Sequence, residues 1–326
     1  MGNVWKKQLQ VDPVSVLLTY QDPALVYFVR RDLQEEWVGP SESLWELAKP
    51  NKLFQKQTTS GCWLYPSRFK SNDPVFNYNL LETYRSLRVL IDMYGLDRRY
   101  PAIQKAAKYI FSCQTREGDI RGILGNQYMP YYHAVLLEEL IKAGYVDDDR
   151  VLKGLDWLLT MRQEDEGWII PFQGVRAKLK NKLWEKAAIP PDRKLPFSHL
   201  ATGMILRAFA SHPAYSSRKE IIKAGELLKS RIFKPDQYYD RKGSDYWLKF
   251  QYPFFWTNLL SALDTLHPLG FTRKDADIQK ALTWFVDNQL PNGLWPTEYN
   301  KGKNAACSIP WVTLAVCRML KKYYTD

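Results

Sequence analysis

The sequence is poor in residues that staple or metallate a fold. It carries 4 cysteines and 4 histidines in 326 residues. Cys62, Cys113, Cys307 and Cys317 make no C-x-x-C pair, which reads as free thiols in a reducing compartment rather than a disulfide framework. No apolar run approaches the ~18 residues that span a membrane. The opening MGNVWKKQLQVDPVSV lacks the apolar core of a secretory signal, and Lys6 stands where N-myristoylation wants Ser or Thr. The expected location is cytoplasmic, with peripheral membrane contact as the variant. Convincing strand alternation is missing as well. Acids are outnumbered, 35 Asp and Glu against 46 Lys and Arg, and the net charge of +11 favours anionic partners or simply a solvated basic surface. A composition of 45% apolar and 25% charged residues excludes a disordered chain.

Aromatics are abundant. Twelve Trp, 20 Tyr and 14 Phe suit a cavity wall or a thick core. The apolar residues are also periodic. Pro74, Pro130, Pro196, Pro253 and Pro310, spaced 56, 66, 57 and 57 residues apart, each precede a stretch that is apolar nearly all round. Proline suits the first turn of a helix, so these stretches are expected to be buried helices. Before them lie amphipathic segments such as IQKAAKYIFSCQTREGD, VLKGLDWLLTMRQEDEGW and IQKALTWFVDNQLPNGLW. Each ends in Gln-x-x-x-Gly: Gln57/Gly61, Gln114/Gly118, Gln163/Gly167 and Gln289/Gly293, with the glycine read as a left-handed helix cap. IIKAGELLKSRIFKPDQYYDRKGSDYW keeps the helix but loses that spacing. Asp22-Pro23 starts a helix of HEAT-like appearance. One domain over 1–326 is expected, with HEAT-like helices at 1–50, five repeats at 51–326 and an insertion at 170–195. Six hairpins of this kind form an open solenoid or a closed ring, and aromatic second helices favour the ring.

These repeats resemble the QW repeat of squalene–hopene and oxidosqualene cyclases, which share an (α/α)6 toroid with protein prenyltransferase β subunits. Phe285, Gln289, Gly293 and Trp295 match the QW pattern; Trp168 follows Gly167 directly, and Asp119 stands near the Trp place of its repeat. The resemblance implies an all-α (α/α)6 toroid over residues 50 to 326, and an apolar, isoprenoid or lipid ligand in a central aromatic cavity. Its chemistry is not carried over. The DxDD acid of the cyclases is replaced by VFNY, YYHA, FSHL, FFWT and WVTL after the five prolines. Asp147, Asp148 and Asp149 form the one Asp-rich run, and they read as a helix cap. The prenyltransferase zinc set needs Asp-x-Cys, which is absent. His133 and His199 hold the zinc-histidine place without a third ligand, so no metal or cofactor is expected.

The third residue after each proline is Asn77, His133, His199, Trp256 or Thr313, expected on one rim of the ring. With Tyr131, Tyr132, Phe197, Phe254, Phe255 and Trp311 these are the candidate ligand-binding residues; filling of the ring's centre by the same side chains is the alternative. The catalytic candidates are His133, His199, Glu82 and Asp264. Acids on second helices are few, namely Glu82, Glu138, Glu139 and Asp264, and a desolvated one would serve as general acid. Arg68, Lys70 and Arg121 are candidates for an anion-binding rim that suits a diphosphate. The insertion is basic, with Leu179, Leu183 and Trp184 sharing a helical face, and 176–194 reads as a membrane-surface contact, an acidic-partner contact or a lid. Three functions compete: a protein that handles an isoprenoid or lipid, a non-enzymatic scaffold binding protein or nucleic acid, and a glycan hydrolase or lyase on an (α/α)6 barrel. No helix-turn-helix or other nucleic-acid motif is visible.

Overall fold

Asp12 and Asp22 each accept backbone N–H bonds at the head of a helix whose first residue is proline, and so the chain opens with α1 (Pro13–Leu17) and α2 (Pro23–Leu33). Five more helix pairs follow. These are α3 (Ala48–Phe54) and α4 (Tyr78–Tyr94), α5 (Pro101–Ser112) and α6 (Pro130–Leu140), and α7 (Asp149–Thr160) and α8 (His199–Ala210). After the single turn α9 (Pro213–Ser216) come α10 (Lys219–Ser230) and α11 (Leu259–Leu266), then α12 (Ala276–Asp287) and α13 (Lys303–Thr325). The structure is a computed structural model that describes residues 4–66, 75–171, 187–238, 242–297, 299 and 302–325. Among the described residues the chain is all-α, with β-bridges only as isolated pairs. No helix among them is long and apolar enough to cross a membrane. All four cysteines are free.

The helices gather in two compact units, Ser41–Ser216 and a discontinuous one of Met1–Pro40 with Ser217–Asp326. In the first, α6 packs on α4, α7 and α8. In the second, α13 packs on α1, α2 and α11, so the N-terminal helices rest on the C-terminal one. The first helix of a pair has one wet face, whereas α8 is buried from His199 to Phe209.

The Gln–Gly–Trp signature turns out to be a latch between successive pairs. Gln57 Nε2 donates to Gly61 O and to Ala102 O in the first turn of α5. Gln114 Nε2 repeats this with Gly118 O and Arg150 O in α7. Gln289 Nε2 donates to Gly293 O and Val11 O, while Gln10 N and Val11 N donate to its Oε1. The latch that joins one pair to the next thus joins the last pair to the residues before α1. Gln163 departs from the pattern: it holds Asp192 O and Leu195 O within the lengthened loop.

The tryptophans anchor the latch. Indole N–H of Trp63, Trp168 and Trp295 donates to the carbonyl ten residues earlier, on Leu53, Leu158 and Phe285. Burying such a side chain, 150–250 Å² at ~25 cal/mol/Å², is worth about 4–6 kcal/mol, more than the latch hydrogen bonds at about 1 kcal/mol each. The glycines differ from expectation. Gly61, Gly118 and Gly293 do have positive φ, but they lie six or seven residues beyond the helix, in the turn pressed on the next pair. A Cβ on Gly61 would run into Lys105 O, and one on Gly118 would meet Lys153 O at 2.9 Å.

The prolines also fall in different registers. Pro130 is the first residue of α6, but Pro196 precedes α8 by three residues, Pro253 precedes α11 by six, and Pro310 lies inside α13. Pro74 is outside the described residues.

Candidate functional site

The residues counted from the prolines take up distinct tasks. Asn77 caps α4: its Oδ1 accepts from Leu80 N at 3.3 Å and from Tyr109 OH at 2.9 Å. His133 is the fourth residue of α6 and His199 the first of α8. Trp256 precedes α11 and donates to Tyr299 OH at 3.1 Å. Thr313 lies mid-way along α13, where its Oγ1 accepts from Trp295 N at 3.2 Å.

That last bond explains His133. Trp63 N donates to Thr83 Oγ1, and Trp168 N to Thr202 Oγ1. In the corresponding place Ile120 N donates to His133 Nδ1 at 2.9 Å. His133 therefore stands at a threonine position, and Ile120 at the tryptophan position beside Asp119. With Nδ1 accepting, Nε2 carries the proton and donates to Gly154 O at 3.0 Å. Burial lowers the imidazole pKa to about 4, against weaker opposing effects of Gly154 and Asp119, so the ring is neutral near pH 7. Both ring nitrogens are engaged. Among the described residues no three His, Cys, Asp or Glu side chains gather as metal ligands.

Tyr131 and Tyr132 lie together at the start of α6, ring centroids 4.3 Å apart, and Phe197 packs on Gly167. In the other unit Tyr252 links Phe254, 5.4 Å away, to Trp311, which it stacks on at 6.2 Å. Trp311 donates to Asp22 Oδ2 at 3.1 Å, and Phe255 meets Trp256 edge-on at 4.6 Å. The other two catalytic candidates form part-exposed ion pairs, Glu82 with Arg85 at 3.3 Å and Asp264 with Lys322 at 2.7 Å. Arg121 is held by Asp119 at 2.8 Å and Glu117 at 3.3 Å, with Tyr128 under its guanidinium. Arg68, Lys70 and the 176–186 part of the basic segment lie outside the described residues. A surface groove of about 780 Å³ along α7, lined by Glu117, Tyr128, Asp156, Trp157 and Arg193 among others, contains none of the expected site residues.

The chemistry-bearing constellation lies at the C-terminal end of α6. Glu138 and Glu139 are buried there between α4 and α8. Lys142 Nζ reaches Glu138 at 2.8 Å, Asp92 of α4 at 3.1 Å and Glu139 at 4.0 Å. Arg207 of α8 donates from Nε to Glu138 Oε2 at 2.8 Å. Tyr84 and Arg88 of α4 stand close by. Lys142, its side chain 28% exposed, is the member of the cluster most open to solvent, and the Asp92 side chain is 11% exposed.

Three acids face two bases, so one bound proton makes these five groups neutral. Burial would raise Glu138, but Arg207 and then Lys142 outweigh it and hold this carboxyl below its ordinary range. Burial and Asp92 push Glu139 well above that range, with Lys142 opposing. Burial also raises Asp92, against the pull of Lys142. These directions favour a proton on the Asp92–Glu139 pair and an ionised Glu138 beside both cations. A neutral buried carboxylic acid is a proton or hydrogen-bond donor held ready near pH 7.

Among these residues Glu138 and Glu139 were legible as rare acids on a second helix. Asp92, Lys142 and Arg207 were missed. Their signal was present: Arg207 is the one charge in HLATGMILRAFA, and Asp92 interrupts RVLIDMY.

No family model and no curated protein matches the chain. Among solved structures it is similar to an alanine variant of the type II terpene cyclase MstE from Scytonema in complex with the product merosterolic acid A, at 13% identity and TM-score 0.45, over 99% of this chain and 88% of that one.

Proposed function

We propose that this protein binds an apolar ligand of isoprenoid or lipid type against α4, α6 and α8. The observation that carries the reading is the buried acid–base cluster of Asp92, Glu138, Glu139, Lys142 and Arg207 in a largely apolar helix layer. α6 is buried from His133 to Leu140 and α8 from His199 to Phe209, and charged groups from both helices meet around Glu138. Apolar surroundings with a few convergent polar groups are the usual form of a small-molecule site. Tyr131 and Glu139 are eight residues apart on α6, about 12 Å, a span that suits an elongated ligand. Tyr132 and Phe197 are further aromatic candidates of this unit, and Phe254, Phe255, Trp256 and Trp311 are candidates within the other unit taken by itself.

Native mass spectrometry of the purified protein beside a denatured control tests this. An adduct of several hundred daltons, lost on denaturation and heavier than any zinc adduct, is the expected result. A ligand-free mass together with no thermal shift from prenyl, sterol or fatty-acid probes would overturn the reading.

A further inference from the structure

Glu139 is the odd member of its cluster. Glu138 takes both cations at 2.8 Å, and Lys142 spends its next contact on Asp92 at 3.1 Å. Glu139 is left with Lys142 at 4.0 Å from Oε1, and Oε2 has no hydrogen-bond partner among the described residues. The side chain is 1% exposed. Buried polar atoms nearly always find a partner, and one left alone destabilises the fold. A carboxyl in the last turn of a helix is also on the wrong side of the helix dipole. Leucine would serve packing better here, and glutamine would serve neutrality.

Resting on the apolar-ligand reading above, we infer that the ligand carries one neutral oxygen function, a hydroxyl, carbonyl or epoxide, and that Glu139 Oε2 is its hydrogen-bond partner. A diphosphate is the wrong ligand for this place. Lys142 and Arg207 are already paired with Glu138 and Asp92, which leaves neither cation free for an anion. Arg121, the described member of the anion-binding set, is occupied by Asp119. A protonated Glu139 donates to the ligand oxygen without introducing a net charge. The groups around it are Asp92 from α4, Arg207 from α8, and Glu138 and Lys142 beside it, with Tyr84 and Arg88 of α4 near the same cluster. α7 meets α6 through Gly154 at His133. As pH rises the shared proton leaves, the donor is lost and the site becomes anionic, so affinity for the oxygenated ligand falls.

The test uses one carbon skeleton in three forms, farnesol, farnesene and farnesyl diphosphate, titrated into the full-length protein and read by tryptophan fluorescence. Farnesol is expected to bind about tenfold more tightly than farnesene, the worth of one buried hydrogen bond, with the diphosphate weakest. Glu139→Leu should bring farnesol and farnesene to equal affinity. Glu139→Gln, which keeps a donor, should retain the preference and lose the weakening toward alkaline pH seen in the wild type. Equal wild-type affinities for alcohol and hydrocarbon, tightest binding of the diphosphate, or the same pH profile in Glu139→Gln would each overturn this inference while leaving an apolar site standing. Failure of all three probes to bind would overturn the apolar reading with it.

Discussion

A histidine and two adjacent glutamates show how neighbours set the role of a side chain. His133 replaces a threonine as acceptor for a backbone N–H, and its neutral form is required for that bond. Its native pKa of about 4 lies below the unfolded value of 6.5, so the unfolded chain takes up the proton first. Stability is therefore complete above pH 6.5 and falls as pH drops toward 4, by about 3 kcal/mol in all. Urea denaturation across that range should show this loss in the wild type and a smaller one in His133→Thr. Glu138 and Glu139 should respond oppositely to the same change. Glu138→Gln strands Arg207 and Lys142 in a buried site and should cost about 3–5 kcal/mol. Glu139→Gln is expected to cost little near pH 7. Because the native pKa of Glu139 is raised, the wild type loses stability as pH rises through it, and the glutamine variant does not. Chemical denaturation of the wild type and both variants from about pH 4.5, the ordinary glutamate value, to alkaline pH checks the contrast.

At the scale of the helix pairs, the repeated residues act on the next pair rather than on their own helix. Gln57 reaches Ala102, and Gly61 lies under Lys105. Gly61→Ala combines a strained φ of +93° with a backbone collision and should destabilise by about 2 kcal/mol or more. Gly39→Ala has a φ of +76° but open space around it, and should cost only about 1 kcal/mol. Thermal or urea unfolding of the pair separates strain from contact. The periodicity of apolar residues made the helix pairs readable in sequence, and Asp22-Pro23 and Asp148 mark helix starts as expected. The proline register was misleading, because a proline serves equally in the turn before a helix, at its first residue, or, for Pro310, within α13.

At the scale of the whole molecule, residues far apart in sequence are bound by the same small set of contacts. Gln289 holds Val11, Trp311 holds Asp22, Arg318 reaches Asp32 at 2.7 Å, and Lys321 donates to Asp32 O at 2.7 Å. Removal of residues 1–11 and the change Gln289→Ala interrupt the same latch. Gln289→Ala should destabilise by about 2 kcal/mol, the truncation by more because it also removes the buried Trp5, and the combined variant should be no worse than the truncation alone. Additive losses in urea denaturation would show that the N-terminal segment is held by something other than Gln289.

The sequence by itself determined the all-α class, the succession of helix pairs and the Gln–Gly–Trp signature, because each depends on spacing of a few residues along one chain. It also showed Glu138 and Glu139 among four acids on second helices, without distinguishing them from Glu82 and Asp264. What only the tertiary structure decided is which charges meet. Asp92, Glu139, Lys142 and Arg207 come from three helices and a turn, and the upward pull on the Asp92 and Glu139 carboxyls arises because three acids share a buried place. Spacing along the chain carries no information about that balance, because desolvation and Coulomb interaction depend on distances through space.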